Sequence, residues 1–304
     1  MDSPPSRLQG GLMRDDRASD TATLVARSIL LAAEDGRLRS LLAEGEAELL
    51  GRILGVGGGW FGLARRWAWA RGVFLGSMDR MVPGIVAHYL ARKRRIEIAV
   101  REALAAGAAR VVVIGAGFDT LAWRLRGEFP RVDFWELDLP ATQRVKRRAL
   151  GEAANFSYRQ LDLTARSPAG APDLVGGSCT VFVVEGLTMY LPEERVVALL
   201  RDCAALAGRT GRVIFTYMEE DEAGSIGFRG QHPLVAAWLE RRSEPFLWGI
   251  GRERLAGFLE RCGLGAAERV DEIRLRREVL VGRGCGEIRL ARGECLCLCS
   301  PLSR

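Results

Sequence analysis

The stretch Val111-Val112-Val113-Ile114-Gly115-Ala116-Gly117 constrains the fold more than any other part of the chain. Four β-branched residues in succession suit a strand buried on both faces, as in the middle of a parallel sheet. The run breaks at Gly-Ala-Gly, and helical spacing resumes from Thr120 to Leu125. A buried strand, a glycine turn and a helix start together suit a nucleotide-like ligand. The glycines let the backbone approach it, and the helix start offers unpaired N–H groups.

Strands and helices alternate from there. Strands are expected at 132–138, 156–161, 180–184 and 211–217. Helices are expected at 140–150, from Pro192 to Leu206, at 234–242 and at 252–262. The last strands are placed at 278–281 and 287–290. Repeated βα units specify an α/β, doubly wound, mostly parallel sheet with helices on both faces.

Upstream, residues 21–50 carry helical periodicity with a break near Asp35-Gly36, and a helix is expected from Pro83 through Leu104. Residues 21–105 are read as a helical cover, or lid, preceding a catalytic domain at 106–304. Trp60, Trp67 and Trp69 are read as core or lid packing. Residues 1–20 are polar and rich in Pro, Gly, Arg and Asp, with no apolar core of a signal peptide, and are expected to be disordered. The apolar region 53–81 is interrupted by Arg65, Arg66, Arg71, Asp79 and Arg80, which makes a bilayer span costly. A cytoplasmic protein with no membrane partner is the expectation. The net charge of +6 comes from arginines scattered along the chain, so no nucleic-acid partner is expected. Cys295, Cys297 and Cys299 have no nearby His or CxxC partner. They read as reduced thiols on one strand face, not as a metal site.

Ligands of such sheets bind beyond the carboxyl ends of the strands. Acids stand at three consecutive ends: Glu136 and Asp138, then Asp162 beside Leu163, then Glu185. Asp138 lies about twenty residues beyond the glycines, the distance expected of an acid on ribose hydroxyls. A dinucleotide site wants a third glycine where this chain has Thr120, and its pyrophosphate is poorly served by nearby carboxylates. S-adenosylmethionine suits the set better: it carries no phosphate, it bears a sulfonium and an ammonium, and its ribose and adenine N6 want acceptors.

With these residues in view, Val111 to Leu125 resembles the first motif of the leucine carboxyl methyltransferase family, which includes bacterial tetracenomycin-type O-methyltransferases. Phe134 to Lys146, Leu161-Asp162-Leu163 and Val184 to Pro192 are similar to the motifs that follow in order, and Tyr89 to Glu97 to the arginine-bearing helix upstream. The resemblance implies a class I methyltransferase, Rossmann-like fold with S-adenosyl-L-methionine as cofactor. It implies that Gly115 and Gly117 hold the methionine portion, and that Asp138 with Glu136 takes the ribose hydroxyls. Asp162 and Leu163 are to border the adenine, Glu185 to lie near the ammonium, and Arg92 to reach the cofactor carboxylate. Asp119 is read as a ligand contact or a helix cap.

The reaction expected is in-line methyl transfer to a carboxylate or hydroxyl of a small molecule. A carboxylate is already a nucleophile at neutral pH, whereas a hydroxyl usually needs a base. No catalytic base is assigned. Tyr190 and His232 are candidates for the acceptor pocket, which residues 219–248 should shape. The alternatives are methylation of a protein C-terminal carboxylate, or a cofactor-binding regulator without turnover. Oligomeric state is left open.

Overall fold

The computed structural model describes residues 19–55, 59–162, 168 and 179–302. The expected disordered lead-in lies outside them, apart from Ser19 and Asp20, which are ordered. The Ser19 side chain caps the first helix by accepting from the Ala22 N–H at 3.0 Å. Leu163 also lies outside the described residues.

The helical segment comprises α1 (Asp20–Ala32), α2 (Glu46–Leu54), α3 (Gly59–Arg66), α4 (Ala68–Met81) and α5 (Ile85–Ala105). The alternation then runs β1 (Arg110–Ile114), α6 (Leu121–Glu128), β2 (Asp133–Asp138), α7 (Pro140–Leu150), β3 (Phe156–Gln160), β4 (Thr180–Val184), α8 (Glu193–Leu206) and β5 (Arg212–Glu219). It closes with α9 (Leu234–Arg241), β6 (Gly249–Ile250), α10 (Arg252–Arg261), β7 (Leu264–Val270) and β8 (Glu294–Pro301).

The strand order is β3-β2-β1-β4-β5-β8-β7, with the short β6 paired to β5. Strands β1 to β5 are parallel, and β8 runs antiparallel between β5 and β7. Strand β1 lies in the middle, with Ile114 opposite Leu137 of β2 and Val184 of β4. The order reverses at β1, so the crevice opens beside the Gly115–Gly117 turn. This is the doubly wound, mostly parallel α/β architecture that the sequence leads one to expect.

Helices of the cover and one face of the sheet share a single core, in which Leu30, Leu90 and Val100 join Val111, Phe134 and Val181. The other face packs Val112, Phe182 and Phe215 on α8 and α10.

Two expectations are corrected. Residues 278–281 are helical, continuing a turn that starts at Glu272, and 287–290 form no regular element. A short apolar run such as Glu278-Val279-Leu280-Val281 does not distinguish helix from strand by period. Burial of Leu275 with Val279 at helical spacing, and the Arg95 Nε bond to Glu278 at 2.7 Å, fix it as helix against α5. The closing strands are β7 and β8. In β8 the three cysteines share one buried face, as the spacing implies, and Leu296 points to the opposite core. Burial pushes the Cys295 thiol up to about 12, away from the reactive thiolate.

The second correction concerns the tryptophans. Trp60, Trp67 and Trp69 are 49%, 49% and 61% exposed, so none is core. Phe61 and Ala64 are the residues α3 buries instead.

Candidate cofactor and acceptor site

One cavity gathers the carboxyl ends of β1, β2 and β4 under α1, with α2 and α5 as further walls. Gly115 and Gly117 form its floor. Their φ angles are +65° and +49°, a region in which L side chains are strained. A Cβ on Gly115 would stand 3.0 Å from the Leu187 side chain, and one on Gly117 would stand 3.4 Å from Ala22 Cβ of α1. The turn is therefore shaped for close approach.

Asp138 stands at the end of β2. Its Oδ2 accepts from the Gly117 N–H and its Oδ1 from the Leu139 N–H, the latter at 2.6 Å. Burial raises the carboxyl, and these two N–H groups oppose that by favouring the ionised form. Asp162 and Leu161 lie on the same wall, beyond β3.

Across the cavity, α5 carries Arg92 and Lys93. Arg92 Nε and Nη2 donate to Glu185 Oε1 at 2.9 and 2.7 Å, and its Nη1 donates to Glu294 Oε1 at 2.6 Å. His88 Nε2 meets Glu294 Oε2 at 3.2 Å. Burial alone would raise Glu294, but Arg92 and His88 hold it down, at about 2. Lys93 pairs with Asp119 and, at 3.1 Å, with Glu185. Burial likewise acts to raise Asp119, and Lys93 brings it down to about 2. Asp119 also accepts from the Leu121 N–H at 2.6 Å, so it holds the start of α6 and lines the cavity at once. Both readings of that residue apply.

Glu136 does not line the cavity. It shares a strand face with Asp138, as expected, but sits one step deeper, 1% exposed and ion-paired to Lys146 at 2.5 Å. Burial raises its carboxyl against the pull of Lys146. Lys146 also donates to the Asp119 carbonyl at 2.6 Å. The pair thus braces the glycine turn from below. His232 is exposed and outside the cavity: its backbone N–H donates to Met81 O, and its Nδ1 accepts from the Leu234 N–H. Tyr190 does line it, from the turn Thr188–Tyr190 after β4.

The far end is aromatic. Tyr89, Tyr190, Phe228 and Phe246 surround it, with Tyr190 and Phe246 ring centroids 5.6 Å apart. Burial pushes both tyrosine hydroxyls well above the usual phenol range, so they stay neutral donors. Glu244 stands there too, and its Oε2 accepts from the Thr21 N–H at 3.2 Å and from the Thr21 hydroxyl. Glu46 of α2 completes the wall, raised by burial.

Sequence reading did not single out Lys93, Glu46, Glu244, Glu294, Phe228 or Phe246, although Phe228, Glu244 and Phe246 fall inside the 219–248 segment it assigned to the acceptor. Lys93 carried a local signal in its place beside Arg92, and Glu244 and Phe246 lie in the stretch Glu244 to Gly249, a looser echo of the family resemblance.

The donor set fits S-adenosylmethionine. Carboxylates at 138, 162 and 185 offer acceptors for hydroxyls and for positive charge, Arg92 is the guanidinium in the cavity lining, and the glycine floor leaves room for close approach. Among the described residues no cluster with metal-ligand character occurs.

The leucine carboxyl methyltransferase family model matches residues 62–204, from α3 to α8. This span contains Arg92, the glycine turn, Asp138, Asp162 and Glu185. The matched residues make up a little under half of the chain, and over them it is similar to that family. The curated relatives of this chain include proteins named for S-adenosyl-L-methionine-dependent methyl transfer, in agreement with the fit of the donor set to that cofactor.

A Mycolicibacterium smegmatis protein, provisionally named an S-adenosyl-L-methionine-dependent methyltransferase, is 28% identical over 251 residues, covering 76% of this chain and 77% of that one. Human tRNA wybutosine-synthesizing protein 4 is 27% identical over 156 residues, 48% of this chain. The chain spans only 23% of the human protein's length. Human N-acetylserotonin methyltransferase in complex with its cofactor superposes at a TM-score of 0.47 and 11% identity, covering 91% of this chain and 70% of that one. The leucine carboxyl methyltransferase match thus covers the cofactor half of the cavity and leaves Phe228, Glu244, Phe246 and Glu294 outside it.

Proposed function

We propose that this chain is an O-methyltransferase for a small molecule with an aromatic or similarly flat apolar body, and that the accepting group is a hydroxyl. The observation that carries the reading is the charge of the cavity. Its two lining cations, Arg92 and Lys93, are already paired to Glu185, Glu294 and Asp119. A second carboxylate, on the acceptor, would add its charge to a wall that already holds Glu46, Asp138 and Glu244. A neutral hydroxyl avoids that repulsion.

S-adenosylmethionine supplies an electrophilic methyl group when bound. The aromatic wall of Tyr89, Tyr190, Phe228 and Phe246 orients the acceptor and excludes water. Glu244 is the carboxylate among those rings, and it takes the hydroxyl proton as the oxygen becomes nucleophilic.

The test is incubation with methyl-labelled cofactor and three acceptor sets: phenols and alcohols, aryl carboxylates, and peptides with a free C-terminal carboxylate. Label on the hydroxyl set supports the reading. Label confined to either carboxylate set overturns it in favour of a carboxyl methyltransferase. Cofactor binding with no label on any acceptor points to a regulator.

A further inference from the structure

The exposed tryptophans of the cover form a surface of their own. In α3, Trp60 and Leu63 lie one turn apart and point away from the buried Phe61 and Ala64. In α4, Ala70 is the buried residue, and Trp69 and Val73 lie one turn apart on the outside. The Trp60 and Trp69 rings meet edge to face at 5.8 Å, so the two helices present one continuous apolar patch, extended by Trp67 between them. A patch this aromatic on a helical pair is uncommon on a surface that faces only water.

The charge around it has one sign. From Gly59 to Met78 the sequence holds Arg65, Arg66 and Arg71 and no Asp or Glu. Among the described residues none of these three arginines forms an ion pair. Indole rings favour the boundary between apolar and wet regions, and arginines beside them favour anionic headgroups. No described helix is long and apolar enough to cross a membrane.

We infer that α3 and α4 dock this protein on an anionic lipid surface, with Trp60, Trp67, Trp69, Leu63 and Val73 entering the headgroup region. The expectation of no membrane partner came from the arginines that interrupt residues 53–81. The same arginines are what an interfacial helix uses. The surface is on the outer side of the cover: Arg27 of α1 packs over Phe61 at 5.2 Å, and Ala22, Val25 and Ile29 of α1 roof the cavity. The inference is independent of the acceptor chosen above.

The full chain is sedimented with phosphatidylglycerol-containing vesicles and with pure phosphatidylcholine vesicles, over a range of salt. Binding to the anionic vesicles, weakened by salt, is expected, with at least about a tenfold loss in Trp60→Ser/Trp69→Ser. Arg65→Gln/Arg66→Gln should lose the preference for anionic lipid. Circular dichroism and S-adenosylhomocysteine affinity, unchanged in both variants, exclude misfolding. No vesicle binding, or binding that both variants retain, overturns the inference. So does a dimer, seen by sedimentation velocity, that dissociates in the tryptophan variant while vesicles leave the chain unbound, since the patch would then serve a second copy.

Discussion

Arg92 donates to Glu185 through both Nε and Nη2, at 2.9 and 2.7 Å, and so fastens α5 to the end of β4. The two residues are 93 apart in sequence. Their pairing sets the wall of the cavity opposite Asp138, and Glu294 on the other side of the guanidinium makes the arrangement a three-residue clamp.

Removing the cation from that clamp leaves the buried Glu185 only a shared Lys93 and the buried Glu294 only His88. Arg92→Gln should lower stability by about 3–5 kcal/mol, read by urea unfolding. Arg92→Lys should recover part of it, because a single ammonium cannot serve Glu185 and Glu294 as a planar fork does. Equal stability of wild type and Arg92→Gln would show that the clamp contributes nothing.

Asp138 and Glu136 share a strand face and should separate cleanly. Asp138→Ala leaves the Gly117 N–H without its acceptor and should weaken S-adenosylhomocysteine binding by roughly tenfold or more in calorimetry. Glu136→Gln should leave that affinity within about twofold and change the melting temperature instead, since its partner is Lys146 beneath the turn. The reverse pattern would return Glu136 to the cofactor.

Glu294 gives a pH signature. Its folded carboxyl lies at about 2, below the ordinary value of 4.5, so its contribution is complete above pH 4.5 and is lost as pH falls toward 2. The stability gap between wild type and Glu294→Gln, on the order of a few kcal/mol at neutral pH, should close over that interval. A gap independent of pH would mean that charge plays no part.

Glu244→Gln tests the acceptor end. Cofactor affinity should stay unchanged, while kcat for a hydroxyl acceptor falls by about a hundredfold or more and KM moves little. A variant with full kcat removes Glu244 as the proton acceptor.

Local pattern made much of the cofactor half legible. Val111 to Ile114 form a strand buried on both faces, and Gly115 and Gly117 adopt the positive φ that their residue type permits. Pattern failed where a short apolar run lacked length. Residues 278–281 became helix because Glu278 answers Arg95 across 183 positions, a partner no window contains. It failed again at Glu136, whose residue type and register were read correctly, because depth below the cavity is set by Lys146 and the packing around it.

The sequence by itself determined the parallel α/β sheet, the glycine turn and the acids at the ends of β2, β3 and β4, since each follows from residues adjacent in the chain. Tertiary structure alone decided which charges meet. Thr21 reaches Glu244 across 223 residues, Arg92 reaches Glu294 across 202, and the tryptophans turn outward because α1 and α5 take the inner face of the cover. Burial and ion pairing depend on what the chain brings together from far apart, and periodicity records only which side of an element is apolar.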